Sequence, residues 1–249
     1  MAALQRSARL AVLIDADNAS PRIADSLFGE IAKIGEASVQ RIYGDFSGSR
    51  LKSWADILAW HAIVPQQNFA NTVGKNASDI ALVIDAMDLL HTGRFDGFCL
   101  VSSDSDFTRL AARIREHGVD VFGFGEQKTP ESFRQACHRF FLTENLMPET
   151  AAQDPQRAAG PDPRQTPSAA IPLLRKAVEQ TAGEDDWASL GAVGKWLLHL
   201  SPDFDQRTYG QAKLIDLVRK TGSFEVERQD GRDVRIRFKP PAAKRAKQG

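Results

Sequence analysis

The sequence predicts a three-layer α/β sandwich around a mainly parallel sheet, followed by a small α+β domain. Short apolar runs rich in branched residues, typical of strands buried on both faces, alternate with apolar residues at helical spacing. Leu10–Ile14 followed by residues 20–35 is the first such pair. Near the end of the chain, three helical patterns precede a hairpin pattern. The length of 249 residues fits one full domain and one small domain.

The composition narrows the class of protein further. Hydrophobic residues make up 42% and charged residues 26%, which excludes a wholly disordered chain. Basic and acidic residues number 32 each, but basic residues are in excess only in 151–249, so we expect nucleic-acid affinity there. Cys99 and Cys137 have neither metal-site nor disulfide-framework spacing. No apolar run is long enough for a signal or a membrane span, so we predict a cytoplasmic protein without a membrane partner.

The first domain is predicted to repeat the β-α unit with short joints. Ser20 and Pro21 supply an N-cap and a first-turn proline for the first helix, and Gly118 is a C′ glycine after the helix at 106–117. The repetition indicates a parallel sheet covered by helices on both faces. Strands are expected at 10–14, 39–46, 62–65, 97–101, 119–124 and 140–142, and helices at 20–35, 54–61, 78–90, 106–117 and 130–138.

A proline-rich segment divides the chain. Residues 147–169 contain five of the 12 prolines and almost no large apolar residue, which predicts an extended linker. The predicted organisation is a large first domain at 1–146, this linker, a second domain at 170–240 and a basic tail at 241–249. In the second domain, helices at 171–181, 188–200 and 208–221 and strands at 224–227 and 234–238 follow the element order of a winged helix-turn-helix.

The last predicted strand alternates in character. Its apolar residues face one side of the strand, and Arg235, Arg237 and Lys239 face the other. A cationic hairpin face of this kind can bind phosphates, which makes it a candidate RNA contact. A solvated strand face with no ligand explains the same alternation equally well.

Acidic segments follow two of the strands of the first domain. Asp15–Asn18 comes after the first strand, Ser102–Asp106 comes after the strand at 97–101, and Lys75–Asp79 opens a buried helix. In an open parallel sheet, ligands bind beyond the carboxyl ends of the strands, so we expect these segments to meet at one edge. Crowded carboxylates raise one another's pKa, and Mg²⁺ or Mn²⁺ would relieve that cost. The sequence therefore predicts a divalent-metal site.

Simpler roles exist for some of these residues. Asp104 or Ser105 can cap the helix that begins at Asp106, without any metal. Asp85 lies six residues after Asp79, about 240° around the helix, so we expect a structural hydrogen bond for Asp85 and not a metal contact. The role of Asp17 stays open.

The motifs resemble a known family. Leu13–Asn18, Lys75 with Asp79 and Asp85, and Val101–Phe107 occur in the order found in the NYN family of PIN-like nucleases, in its LabA-like branch, over residues 9–145. The stretch Tyr209–Leu214, with Leu217 and Phe224, is similar to the OST-HTH, or LOTUS, domain.

This resemblance implies a metal-dependent ribonuclease that uses Mg²⁺ or Mn²⁺ and carries a C-terminal RNA-binding module. Single-stranded or structured RNA is the expected partner, and a homodimer or a protein partner of the C-terminal domain stays open. Lys75 and the hydroxyls of Ser102 and Ser103 are candidates for binding substrate phosphate. The resemblance carries catalytic and metal-binding roles onto Asp15, Asp79, Asp104 and Asp106, with Asn18 as their polar partner. The candidates for substrate binding are Asn18, Lys75, Ser102 and Ser103, and those for RNA binding in the second domain are Lys213, Arg235, Arg237 and Lys239.

Two alternatives stay open at the level of the sequence. Asp15 and Asp17 after an apolar strand also resemble the haloacid-dehalogenase phosphatases, in which the first Asp is the nucleophile and the second is the general acid. Asn18–Ala19 replaces the usual Thr region of that family, and Asp79 would have no role there. A non-catalytic RNA-binding adaptor is the other alternative, because a basic hairpin holds phosphates without any chemistry.

Overall fold

The structure is a computed structural model that describes residues 7–69, 77–146, 165–229 and 233–239. The chain divides into two compact units, one within residues 1–160 and one within 161–249. Lys75, most of the predicted linker, the predicted hairpin turn at 230–231 and the basic tail lie outside the described residues.

The first unit is built on a six-stranded sheet in which every neighbouring pair is parallel. The strand order is β3-β2-β1-β4-β5-β6, with β1 and β4 at the centre. Short apolar runs form the central strands because both of their faces are covered. The bounds are β1 Arg9–Asp15, β2 Glu36–Gly44, β3 Val64–Gln67, β4 Gly97–Val101, β5 Asp120–Gly125 and β6 Arg139–Leu142.

Helices cover both faces of this sheet, and each face has its own apolar core. Alternate residues of β1 point to opposite faces, so Leu13 belongs to one core and Val12 to the other. The predicted three-layer sandwich is therefore confirmed. The helices are α1 Ala24–Ile31, α2 Lys52–Ala55, α3 Ala77–His91, α4 Thr108–Glu116 and α5 Glu131–Ala136.

The order of the strands reverses between β1 and β4. From β1 the chain proceeds outward through β2 to β3, and α3 then carries it back across the sheet to β4 on the other side of β1. The register pairs Ile14 with Val101, so Asp15 and Ser102 are the next residues on adjacent strands. A reversal of this kind opens a crevice at the carboxyl ends of the two strands. The sheet topology thus brings two of the predicted acidic segments side by side.

Some boundaries differ from those predicted. The helix predicted at 54–61 is the single turn of α2 followed by irregular turns, and the third strand lies at Val64–Gln67 and not at 62–65. The helix α3 is apolar on most sides, which predicted full burial, yet Ile80 and Ile84 are 60% and 57% exposed. Only one side of α3 packs on β1 and β2, so apolar composition alone overestimated its burial.

The second unit combines three helices with a three-stranded antiparallel sheet in the order β7-β9-β8. The helix predicted from residue 188 begins at Leu190, because Ala188 pairs with Ile236 and makes β7 a strand. The helix predicted from 208 begins at Leu214, after a 3₁₀ turn. The bounds are α6 Ile171–Thr181, β7 Ala188–Ser189, α7 Leu190–Leu200, α8 Leu214–Thr221, β8 Phe224–Gln229 and β9 Asp233–Phe238.

The packing of the sheet predicts opposite effects for two glycine substitutions. A Cβ at Gly123 on β5 would lie 2.8 Å from Cys137 Sγ and closer still to the Phe140 ring, both of them buried. Gly123→Ala should therefore lower the free energy of unfolding by about 1–3 kcal/mol. Gly29, inside α1, has no atom near its Cβ direction, so Gly29→Ala should raise it by about 0.5–1 kcal/mol. Urea denaturation compares the two variants, and equal stabilities would contradict this packing.

Candidate active site

Asp15 is the central residue of the site, at the last position of β1. It is 1% exposed, and both carboxylate oxygens accept hydrogen bonds. Oδ1 accepts from the Asp17 backbone N–H at 3.1 Å, and Oδ2 accepts from Asn18 Nδ2 at 2.7 Å and from Ser102 Oγ at 2.8 Å. Burial raises the pKa of Asp15, and the bonds from Asn18 and Ser102 oppose that rise. Asp15 is thus a buried carboxyl held in one orientation by three donors.

The loop after β4 is folded by its own polar side chains. Ser102 Oγ accepts the Asp104 backbone N–H at 3.0 Å while donating to Asp15, so one hydroxyl joins the two loops. Asp104 Oδ1 accepts the Asp106 backbone N–H at 2.9 Å and caps the 3₁₀ turn Ser105–Phe107. The capping role predicted as the simpler alternative is therefore confirmed for Asp104. The second carboxylate oxygen of Asp104 and the exposed carboxylate of Asp106 are the candidates for metal binding in this loop.

Asp79 lies in the first turn of α3 and is half-buried. Its pKa is raised to about 6, first by burial and then by the charges of nearby carboxylates. The predicted crowding of acidic groups is therefore present in the fold. The carboxylates that raise the pKa of Asp79 are, in decreasing order of effect, Asp15, Asp104, Asp17 and Asp106.

The donor set suits a hard divalent cation that keeps much of its water. Within the described ranges, no group of three or more Asp, Glu, His or Cys side chains is placed to hold a metal ion on its own. Mg²⁺ is typically held by one or two carboxylates together with waters and substrate phosphate, so it does not need such a cage. Oxygen donors and the raised pKa of Asp79 fit Mg²⁺ or Mn²⁺ and do not fit a closed zinc site.

The other predicted substrate-binding residues have intramolecular partners. Asn18 is exposed but donates to Asp15, and Ser103 Oγ accepts the Glu126 backbone N–H at 2.9 Å. The single hydroxyl proton of Ser102 points to Asp15. Phosphate contacts of Asn18 and Ser103 stay predictions. The phosphate contact of Lys75 also stays a prediction, because Lys75 lies outside the described residues.

Asp17 has a partner that the sequence did not suggest. Arg50, in the loop before α2, donates from Nη2 to Asp17 Oδ1 at 2.6 Å. The two residues are 33 positions apart, and no periodic pattern connects them. Asp17 therefore stands between the carboxylates of the site and a guanidinium.

Asp85 makes the structural hydrogen bonds predicted for it. Its two carboxylate oxygens accept from the Arg41 guanidinium and from the Tyr43 hydroxyl, both on β2. Burial and the Asp85 carboxylate raise the pKa of Tyr43, which keeps that hydroxyl protonated as a donor. These bonds fasten α3 to the sheet one and a half turns beyond Asp79. The alternation of Arg41 and Tyr43 on one face of a strand was the signal that sequence reasoning could have used.

The hairpin of the second unit does not present the predicted cationic face. Glu225 stands opposite Arg237, and Glu227 stands opposite Arg235. Arg237 Nε donates to Glu225 at 2.6 Å, and Arg235 bonds Asp185 at 2.9 Å and Glu227 at 3.2 Å. Both guanidinium groups also lie over the Trp187 ring. The prediction of a cationic surface was wrong because the acidic partners belong to the neighbouring strand and to a distant loop.

Three basic residues of α8 and its N-cap have no carboxylate partner in the part of the chain that the structure describes. Lys213 is exposed at the N-cap of α8, and Arg219 and Lys220 are exposed in its last turn. Lys239 Nζ, by contrast, donates to the Gly222 carbonyl at 2.8 Å. The basic residues of α8 are therefore exposed without a carboxylate partner among the described residues, whereas Arg235 and Arg237 of the hairpin are paired with acids.

Comparison with known families agrees with this architecture. The NYN domain model matches residues 9–144, and the OST-HTH/LOTUS domain model matches residues 161–236. The first match covers more than half of the chain, so the chain belongs to the NYN domain family. Membership supports a nuclease role for the first unit, and the second match supports RNA binding. A search of the curated proteins found no match.

Two solved structures are similar to parts of the chain. One is a protein of unknown function from Vibrio parahaemolyticus, with 17% identity and a TM-score of 0.48, covering 55% of this chain and 93% of that one. The other is an uncharacterized protein from Nitrosomonas europaea, with 36% identity and a TM-score of 0.28, covering 36% of this chain and 90% of that one. No described helix is both long and apolar enough to cross a membrane.

The raised pKa of Asp79 predicts that removing its charge stabilises the protein in a pH-dependent way. The folded-state pKa of Asp79 lies at about 6, above its ordinary value of 3.8. The contribution of Asp79 to stability is therefore full below its ordinary pKa and is lost as the pH rises through its folded-state pKa. Asp79→Asn should raise the free energy of unfolding of the metal-free protein by about 1 kcal/mol near neutral pH, because solvent screens a half-exposed group.

Urea denaturation in EDTA, at about pH 7.5 and about pH 4, measures this difference, which should vanish at the lower pH. The matched control is Asp88→Asn, an exposed position on the same helix. An Asp79→Asn variant less stable than wild type at neutral pH would contradict the crowding of carboxylates.

Proposed function

We propose that the protein is a divalent-metal-dependent ribonuclease whose first unit hydrolyses RNA phosphodiester bonds and whose second unit binds RNA. The observation that carries this proposal is the convergence of carboxylates from three separate segments at the carboxyl ends of β1 and β4. Capping alone does not account for the set, since it uses one oxygen of Asp104 and does not involve Asp79.

In this proposal, Asp15, Asp79, Asp104 and Asp106 hold Mg²⁺ or Mn²⁺. A bound divalent ion lowers the pKa of its water and offsets negative charge on phosphoryl oxygens. The fold holds these carboxylates in place. Asp15 is fixed by three hydrogen bonds, and the half-buried Asp79 on α3 lies near the other carboxylates of the set. Rigid placement of this kind lowers the cost of orienting the attacking water and the phosphodiester.

Ser102 and Asn18 act on Asp15 in this scheme. Both donate to Oδ2, so they orient the carboxylate and help to keep it ionised although it is buried. Loss of a group that orients a metal ligand typically costs about 10–100-fold in metal affinity or activity. We therefore reassign Ser102 from phosphate binding to positioning, while a phosphate contact of Ser103 and Asn18 remains part of the proposal.

RNA binding by the second unit is assigned to α8. Lys213, Arg219 and Lys220 are exposed and unpaired by carboxylates among the described residues, whereas Arg235 and Arg237 have acidic partners. A phosphate must compete with those partners before it can bind the hairpin arginines. Contact between RNA phosphates and α8 needs no such exchange.

One alternative retains support and the other loses it. A non-catalytic RNA-binding adaptor is supported by the exposed basic residues of α8, which can bind phosphates without any chemistry. The phosphatase alternative requires a nucleophilic Asp15, but that carboxyl is buried and both of its oxygens accept hydrogen bonds within the protein. The NYN match over residues 9–144, which include Asp15, supports the nuclease and not the phosphatase.

Charge removal at the site should abolish cleavage without unfolding the protein. Asp15→Asn and Asp104→Asn should each lower kcat/KM for RNA by at least about 100-fold in Mg²⁺ or Mn²⁺, because each removes a metal-holding carboxylate. Asp88→Asn, on the outer side of α3, is the matched control and should retain wild-type activity. Wild-type turnover by both site variants would refute the assigned site, and wild-type protein that never cuts RNA in either metal would favour the adaptor.

The assignment of RNA binding to α8 is tested by paired substitutions in the full chain. Lys213→Ala with Lys220→Ala should weaken binding of a single-stranded RNA about tenfold at low salt. Arg235→Ala with Arg237→Ala removes the same charge but frees Glu225 and Glu227. This second pair measures the contribution of the hairpin to RNA binding. Fluorescence anisotropy measures both. If only the hairpin pair lowered the affinity, the original hairpin prediction would be restored.

A further inference from the structure

A cleft lies beside the acidic site, on the side of the sheet covered by α1 and α2. Its volume is about 490 Å³, within the range of about 300–1,000 Å³ that is usual for ligand sites. Its walls come from the loop after β1, the start of the helical segment before α1, and the residues around α2. The polar lining residues are Asp17, Ser20, Arg22, Arg50 and Ser53.

The cleft is continuous with the acidic site through Asp17. This residue lines the cleft, and its backbone N–H donates to Asp15 Oδ1 at 3.1 Å. Its carboxylate holds the Arg50 guanidinium at 2.6 Å, which places a cation next to the acidic group. A chain that crosses the carboxylates would therefore reach Arg50 next.

The charges in the cleft have the opposite sign to those in the site. Two guanidinium groups, of Arg22 and Arg50, line it together with one carboxylate. Within the described ranges Arg22 has no ion-pair partner, and Arg50 is 68% exposed in its side chain despite its bond to Asp17. Guanidinium groups bind phosphate with paired N–H donors, and the Ser20 and Ser53 hydroxyls add neutral polar groups. The cleft fits an anionic, phosphate-bearing ligand.

The indole of Trp54 does not make the cleft a stacking site for bases. Trp54 is 1% exposed, and its Nε1–H donates to the Ala19 carbonyl at 2.9 Å. The indole fixes the wall of the cleft and offers little ring face to a ligand. Recognition there rests on phosphates, which carry no sequence information.

We propose that this cleft binds the backbone of the RNA strand next to the phosphodiester that is cut, with Arg22 and Arg50 as its phosphate-binding residues. The proposal rests on the proposed function, because it takes RNA as the substrate of the adjacent carboxylates. Asp17 positions Arg50 at the boundary between site and cleft. The nuclease would then select for a flexible, extended strand and tolerate many sequences.

The salt dependence of RNA binding by the full chain tests the proposal. Binding of a single-stranded RNA is measured by fluorescence anisotropy in EDTA, so that no cleavage occurs. Each lost phosphate contact should reduce the slope of log K against log salt by about 0.7. Arg22→Ala with Arg50→Ala should therefore reduce the slope by about 1.4. Arg22→Lys with Arg50→Lys should keep the wild-type slope, because the charges remain.

The matched control is Arg94→Ala with Arg113→Ala, at the loop before β4 and in the last turn of α4, near the amino ends of the strands. It removes the same charge far from the cleft and should leave the slope unchanged. Thermal denaturation confirms that each variant is folded. A folded alanine pair with the wild-type slope would overturn the proposal, as would an equal loss in the control pair or a loss in the lysine pair.

This experiment separates the cleft from catalysis. Failure of wild-type protein to cut RNA in Mg²⁺ or Mn²⁺ would count against the ribonuclease, and it would not alter the slopes, which are measured without metal. An unchanged slope together with normal cleavage would refute the cleft alone.

Discussion

The structure depends on one electrostatic constraint, the gathering of carboxylates at the carboxyl ends of β1 and β4. The parallel register pairs Ile14 with Val101, and the next residues, Asp15 and Ser102, share a hydrogen bond. Three donors stabilise Asp15 in a buried position that would otherwise disfavour its charge. Burial and the charges of the neighbouring carboxylates raise the pKa of Asp79 to about 6. The fold thus maintains an arrangement that costs stability unless a cation is present, which is typical of a functional site.

The surrounding packing keeps this arrangement in place. Asp85 accepts hydrogen bonds from Arg41 and Tyr43, so α3 is fastened to β2 about one and a half turns beyond Asp79. On the other side, Asp17 holds Arg50 at the entrance of the cleft. Negative charge therefore lies at the place proposed for the metal, and the Arg50 guanidinium lies beside it. Such an arrangement suits a polyanion that must approach a cation without being repelled on the way.

Much of the first unit could be predicted from the sequence, because its strands are short apolar runs and its acidic residues directly follow them. The apolar run Leu10–Ile14 predicted a central strand. The position of Asp15 after this run predicted an acidic site at the carboxyl-end edge of the sheet. Features that depend on distant partners could not be predicted. The acids opposite Arg235 and Arg237, the bond between Arg50 and Asp17, and the pairing of Ala188 with β9 all join residues without a shared local pattern.

The claim that the crowded carboxylates form a divalent-metal site is tested most directly by diffraction from crystals soaked in Mn²⁺, with data collected at the manganese absorption edge. The account predicts an anomalous peak within coordination distance of at least one carboxylate among Asp15, Asp79, Asp104 and Asp106. Density for the protein with no peak at this edge of the sheet, or a peak only at an unrelated surface, would contradict it.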